Sequence, residues 1–141
     1  MRLSTKGRYG VTAMFDLAMQ YGEGPIPLKE IAARQGLSEH YLEQLAAPLR
    51  RAGLVRSVRG AQGGYLLARR PEEITVGDII RVLEGPIAPA DCVSVDSGYE
   101  RYCDRADNCV TRDIWRKLRD SINSVLDSFT LADLCREAVS S

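Results

Sequence analysis

Residues 28–67 read LKEIAARQGLSEHYLEQLAAPLRRAGLVRSVRGAQGGYLL, and the fold turns on this stretch. Leu28, Ile31 and Ala32 mark one face of a short helix, Gly36 supplies a turn, and Ser38 stands where a helix N-cap belongs. Leu42, Leu45 and Leu49 follow at helical spacing, and Gly53 closes the pattern. Two β-like runs come next, Leu54–Val58 and Tyr65–Leu67, separated by the glycine-rich tip Arg59-Gly60-Ala61-Gln62-Gly63-Gly64. Two helices across a tight turn, followed by a hairpin, predict a winged helix-turn-helix.

Upstream, Ser4 or Thr5 can cap a helix carrying Val11, Met14, Phe15 and Ala18, which Gly22-Glu23-Gly24-Pro25 ends. Downstream, Thr75 and Asp78 form a capping box with Asp in the Glu position, opening a helix through Ile79, Ile80, Val82 and Leu83 that stops at Gly85-Pro86. Residues 86–110 are a long loop with little periodicity and three of the four cysteines. Thr111 is expected to cap a long amphipathic helix with Ile114, Leu118, Ile122, Val125, Leu126 and Phe129 on one face and Trp115 beside it. One small domain has little with which to cover that stripe, so it is expected to pack against the same helix of a second subunit; the alternative is packing within its own monomer. Thr130 and Asp133 open a short final helix. The expected class is mainly α with a small β wing. It divides into a winged-helix domain (1–85), a cysteine-bearing loop (86–110), and a dimerisation helix with a short terminal helix (111–141).

The whole chain of 141 residues balances 19 basic against 19 acidic side chains, but its halves do not balance. Residues 1–70 hold 11 Lys/Arg and 5 Asp/Glu (+6), whereas 71–141 hold 8 and 14 (−6). A basic front and an acidic back predict a polyanion-binding module joined to something with another task. No apolar run follows Met1 and none is long enough to span a membrane, so a cytoplasmic protein with reduced thiols is expected. An enzyme is not expected: there is one histidine, His40, and neither a glycine-flanked serine, a phosphate-binding loop nor an HExxH pair.

A recognition helix presents its N-terminal residues to base edges in the major groove. Here those are Ser38-Glu39-His40-Tyr41-Leu42-Glu43-Gln44. The Gln44 amide can pair with adenine, Glu43 can accept from a cytosine amino group, and Ser38 and Tyr41 can donate to phosphates or bases. Arg59 at the wing tip suits a narrow minor groove, and Lys6, Arg8, Lys29, Arg50, Arg51 and Arg56 suit phosphates. The plainer readings are that Ser38 only caps, Tyr41 only fills core and His40 is simply exposed.

Cys92, Cys103 and Cys109 are spaced C-x10-C-x5-C, unlike a zinc ribbon or a ferredoxin run. Three thiolates on one loop can surround iron; three idle or oxidisable thiols are the equal alternative. Cys135, outside the loop, reads as a small core residue.

The segments MRLSTKGRYGVTAM, LSEHYLEQL, LRRAGLV and SVRGAQGGYLL together resemble the IscR-type family of winged-helix regulators, which has NsrR-like and CymR-like branches. The likeness runs from Met1 to about Pro86 and resumes near Trp115. It implies a homodimeric transcription regulator, acting as a repressor on a double-stranded DNA operator, with contacts at Ser38, Tyr41, Glu43, Gln44 and Arg59. It further implies a [2Fe–2S] cluster on Cys92, Cys103 and Cys109, although the first cysteine interval is longer here than in cluster-binding members. The fourth ligand departs from the family pattern. Arg112 stands where IscR-like members have histidine, and Arg8 where NsrR-like members have an acid; Glu100, Asp104, Asp107, Cys135 or water remain. The alternative is a CymR-like, cluster-free repressor that works with a regulatory protein partner or by thiol oxidation.

Overall fold

The computed structural model describes residues 3–90, 93 and 110–140. The order is α1 (Thr5–Met19), α2 (Leu28–Gln35), α3 (Glu39–Arg51), β1 (Val55–Val58), β2 (Gly64–Leu67), a 3-10 turn at Pro71–Glu73, α4 (Val76–Glu84), α5 (Arg112–Asp127) and α6 (Leu131–Ser140). This is the expected class: helices with a two-stranded antiparallel wing. None of the described helices is long and apolar enough to cross a membrane.

Side-chain caps start α1, α3, α4 and α6. The Ser4 hydroxyl accepts from the Lys6 amide and the Ser38 hydroxyl from the Tyr41 amide, satisfying N–H groups that a helix leaves without partners. Thr75 and Asp78 close a reciprocal capping box at 3.0 Å each way, and Thr130 and Asp133 repeat it at α6 with 2.9 and 3.1 Å. The Thr130 amide, donating to Asp133 Oδ2, is the main influence holding the Asp133 carboxyl below the usual carboxylate range. Thr111 departs from expectation. It sits at the N-cap of α5 in helical geometry, and its side chain makes no capping bond.

The core gathers Met14 and Leu17 of α1, Ile31 of α2, Leu42, Leu45 and Leu49 of α3, Val55 and Leu67 of the wing, Ile79 and Leu83 of α4, and Leu131 of α6. The terminal helix thus packs into the same core as residues 1–85. Helices α1 and α4 approach closely because α1 carries Gly7 and Gly10: a Cβ on Gly7 would meet the Glu84 carboxylate, and one on Gly10 the Leu83 side chain. Glu84 in return accepts from the Ser4 amide (3.0 Å) and from its hydroxyl.

The buried face of α1 is centred on Ala13, Met14, Leu17 and Ala18, leaving Phe15 half-buried, and it contains a carboxylate. Asp16, 2 % exposed, accepts from Arg34 Nε (3.0 Å), Arg34 Nη2 (2.7 Å) and Gln35 Nε2 (2.9 Å), pinning α2 to α1. The bond to Asp16 raises the Arg34 guanidinium above its ordinary value. Asp16→Ala leaves these donors without their acceptor and is expected to lower stability by about 2–3 kcal/mol in urea denaturation, with Asp16→Asn losing less. Equal stability of all three proteins would show that the α1–α2 clamp contributes nothing.

Candidate nucleic-acid interface

The first two turns of α3 present a polar, exposed face. Ser38, Glu39, His40, Glu43 and Gln44 are exposed, while Leu42 and Leu45 on the opposite side are buried. Ser38 is engaged as the cap, which leaves its hydroxyl proton for an outside acceptor. Gln44 Nε2 lies 3.3 Å from His40 Nε2, one turn earlier.

Tyr41 is placed differently from its neighbours. It is half-buried against the core, its ring meets Tyr9 edge-on at 5.9 Å, and its hydroxyl lies 3.0 Å from Thr5 Oγ1. Its polar tip therefore braces the start of α3 against the start of α1. A phosphate could still share that hydroxyl, but the bracing bond is already made. Sequence reasoning missed Thr5 and Tyr9 here, because the partners lie more than thirty residues away from Tyr41.

Cationic groups surround this turn. Lys6 and Arg51 line one groove of about 430 Å3 together with Tyr41 and Gln44, between α1, α3 and α4. Arg50 and Arg51 end α3, and Arg8 follows Lys6 on α1. The wing carries exposed Arg56 on β1 and Arg59 at the tip. Its register pairs Val55 with Leu67, Arg56 with Leu66, Ser57 with Tyr65 and Val58 with Gly64. A third chain segment stiffens β2 toward the tip: Ile26 and Tyr65 exchange two backbone bonds of 2.8 Å. The tip itself is closed by the Gly63 amide donating to the Gly60 carbonyl at 3.0 Å.

The long helix α5 has two faces of opposite character. Ile114, Trp115, Leu118 and Val125 are all more than a third exposed, as is Phe129 just past the end of the helix; Ile122 and Leu126 of the expected stripe are half-buried instead, though no residue of α5 is fully buried. On the other side Arg119, Asn123 and Asp127, spaced by four, meet the rest of the chain. Arg81 of α4 donates to Asn123 Oδ1 (2.8 Å) and Asp127 Oδ2 (2.6 Å). The Asn123 amide donates to the Ile87 carbonyl (3.0 Å), and Arg119 Nη1 to the Val93 carbonyl (2.9 Å). Ile87 and Val93 are both buried. These side chains escaped the sequence reading, although their i, i+4, i+8 spacing signals a second docking face.

The candidate cluster ligands Cys92, Cys103 and Cys109 lie outside the described residues. Among the described residues no group of three or more His, Cys, Asp or Glu side chains could hold a metal. Cys135 is half-buried beside the core, and burial pushes its thiol up, away from the thiolate that binds iron.

A model of the Rrf2 family, described as iron-dependent transcriptional regulators, matches residues 3–137. The chain belongs to the Rrf2 family. It is similar to the HTH-type transcriptional regulator CymR of Bacillus subtilis, with 53% identity over 134 residues that cover 95% of this chain and 89% of CymR. IscR of Pectobacterium atrosepticum is 46% identical over 134 residues, 95% of this chain and 79% of that protein. Among solved structures, that of CymR, named the global cysteine regulator of B. subtilis, superposes with a TM-score of 0.79 at 52% identity, covering 97% of this chain and 98% of that one. T. potens IscR gives 0.78 at 57% identity, covering 98% and 88%. This Rrf2-family transcriptional regulator thus shares fold and sequence with two kinds of named regulator, and those relatives are regulators rather than enzymes.

Proposed function

We propose that the protein is a homodimeric repressor that reads operator DNA with α3 and the wing, and whose affinity responds to a [2Fe–2S] cluster on Cys92, Cys103 and Cys109. The observation that carries the DNA reading is the first turn of α3. Its capped, braced backbone turns Glu43 and Gln44 outward, among cations contributed by α1, by the end of α3 and by the wing. In this reading Gln44 pairs with a base, Glu43 admits only sites that offer it a donor, and Arg59 enters the minor groove. Ser38 and Tyr41 act at the backbone, where Tyr41 also fixes the helix. The dimer is supported by α5, whose apolar residues Ile114, Trp115, Leu118 and Val125 are left exposed by its own chain.

The donor set suits the cluster: three thiols on one loop, with Cys135 disfavoured as a fourth by its burial. When bound, such a cluster supplies an oxidant-sensitive iron centre. The chain's own residues supply the coupling. Arg119 and Asn123 grip the backbone on the approach to the loop, Asn123 and Asp127 grip Arg81, and α4 packs against both α1 and α3. A CymR-like regulator without a cluster is the second reading, favoured by the 53% identity to CymR.

Anaerobic titration of one labelled operator with cluster-loaded, cluster-free and Cys92→Ala/Cys103→Ala/Cys109→Ala protein decides between them. The loaded protein is expected to differ from the other two by about 5- to 150-fold in affinity, with sedimentation unchanged. Coincident curves on every promoter tested would reject the cluster switch and leave the cluster-free reading.

A further inference from the structure

A cavity of about 490 Å3 lies between the α1–α2 loop and the root of the wing, large enough for a small organic ligand. Its floor is apolar, with Leu17, Ile26 and Leu67 all buried. Its rim is cationic. Arg56, Arg69 and Arg70 line it against a single carboxylate, Glu73. Glu73 is already committed to Arg70 at 2.9 Å, while Arg56 and Arg69 have no ion pair among the described residues. Arg56 stands opposite Leu66, and Arg69 and Arg70 follow the end of β2, whereas Arg59 belongs to the tip at the other end of the hairpin. Arg69 and Arg70 therefore have no part in the DNA reading above.

Two glycines complete the loop side of the cavity. Gly22 and Gly24 have φ of +92° and +88°, and nothing lies within 4 Å of where a Cβ would stand on either. Their amides donate to no other group among the described residues. Unpaired main-chain N–H groups in a glycine loop are ready donors to an anion. The end of α1 offers little opposition, because the Asp16, Leu17, Ala18 and Gln20 carbonyls already accept from the Gln20, Tyr21 and Glu23 amides.

We propose that this cavity is a binding site for a small organic phosphate, a dianion on an apolar body no larger than a nucleoside. Three arginines against one carboxylate leave two positive charges unmatched, which a phosphate monoester approaches at neutral pH. Guanidinium forks match its oxygens. A monocarboxylate would leave one charge over, and inorganic phosphate would leave the apolar floor uncovered. Tyr21, about half exposed on the rim, offers a ring to a flat body. The site needs neither an operator nor a second subunit, so it stands or falls apart from the DNA reading.

The test uses the full-length protein at about 0.15 M salt, with adenosine monophosphate and phenyl phosphate as probes and with adenosine and inorganic phosphate as controls. Calorimetry measures affinity, and amide chemical shifts locate the ligand. Either organic phosphate is expected to saturate a single site per chain, about tenfold more tightly than either control, and to move the amides of Gly22, Gly24 and residues 66–70. Arg69→Gln is expected to weaken binding by about ten- to hundredfold, and Arg69→Lys by less, with both melting as the wild type does. Arg69 is exposed, so neither change disturbs the core. The proposal is overturned if neither organic phosphate saturates, if inorganic phosphate binds as tightly, or if Arg69→Gln binds unchanged. Shifts centred on Lys6, Gln44 and Arg51 would also overturn it, by placing the anion in the groove beside α3. A duplex of random sequence checks the other source of phosphate. Duplex and organic phosphate bound together support the site, whereas displacement of the organic phosphate from these amides assigns the arginines to the DNA backbone and overturns it.

Discussion

Leu118→Asp with Val125→Asp is expected to convert the protein to a folded monomer and to weaken operator binding by about two to four orders of magnitude. The size of the effect follows from where the two residues stand. Both are exposed in the single chain, Leu118 at 42% and Val125 at 56%, so carboxylates there meet water in the monomer and disturb none of its packing. In a dimer built on α5 the same carboxylates would be buried against an apolar partner face, at a cost that no pair of reading heads could recover. A monomer then binds one half-site, without the effective concentration that a second, tethered head supplies. Sedimentation velocity and a melt on the same sample separate the outcomes. A dimer that survives both substitutions places the interface away from α5, and a loss of fold would mean that the stripe is covered within one chain.

Gly64→Ala is expected to remove about 3 kcal/mol of stability, a fall of about 10 °C in Tm, and to abolish specific DNA binding well below that temperature. A Cβ at this position would press into the carbonyl carbon and oxygen of Ile26 and lie 2.6 Å from the Pro27 nitrogen. Those atoms are backbone, and the backbone there is tied to Tyr65 by two 2.8 Å bonds. Relief therefore requires parting the wing from the segment that supports it, and Arg59 moves with the wing. Gly60→Ala is the matched control. Its φ of +104° carries strain, but nothing lies within 4 Å of the new methyl group, so about 1 kcal/mol is expected. Similar losses for the two variants would show that backbone strain, not the Ile26 contact, governs the wing.

The fold was legible wherever its causes are local. Ser38, Thr75 with Asp78, and Thr130 with Asp133 announce their helices because a cap needs partners only two or three residues away. The leucine spacing of α3 and the glycine-rich tip are equally local. What the sequence concealed is held by distant pairs. Asp16 reads as an ordinary polar residue until Arg34 and Gln35 arrive from the next helix. Ile26 adds a single bridge to the wing, too short to register as a strand. Thr111 shows the converse: the right residue type at the right position makes no cap because its own backbone is already helical. At the candidate site, Ser38, Glu43, Gln44 and Arg59 were marked by the motif and lie exposed, while the Thr5 bond to Tyr41 and the amide contact of His40 depend on side-chain placement that periodicity does not encode.

The junction between α5 and α6 has a mechanical meaning. Val76 donates to the Phe129 carbonyl at 2.8 Å and Leu131 to the Ile74 carbonyl at 2.9 Å, so the far end of α5 is stitched to the start of α4 by main chain. Residues Arg112–Asp127 then form an arm of 16 residues, about 24 Å long, joined to α4 by this main-chain seam and by Asn123 and Asp127 through Arg81, with Arg112 at its opposite end. A shift of about 2 Å at the Arg112 end turns the arm by only about 5°, whereas neighbouring base pairs differ by about 34° around the DNA axis. In the proposed dimer a change of that size would tilt the two heads in or out of fit with one operator without carrying them to the next base-pair phase.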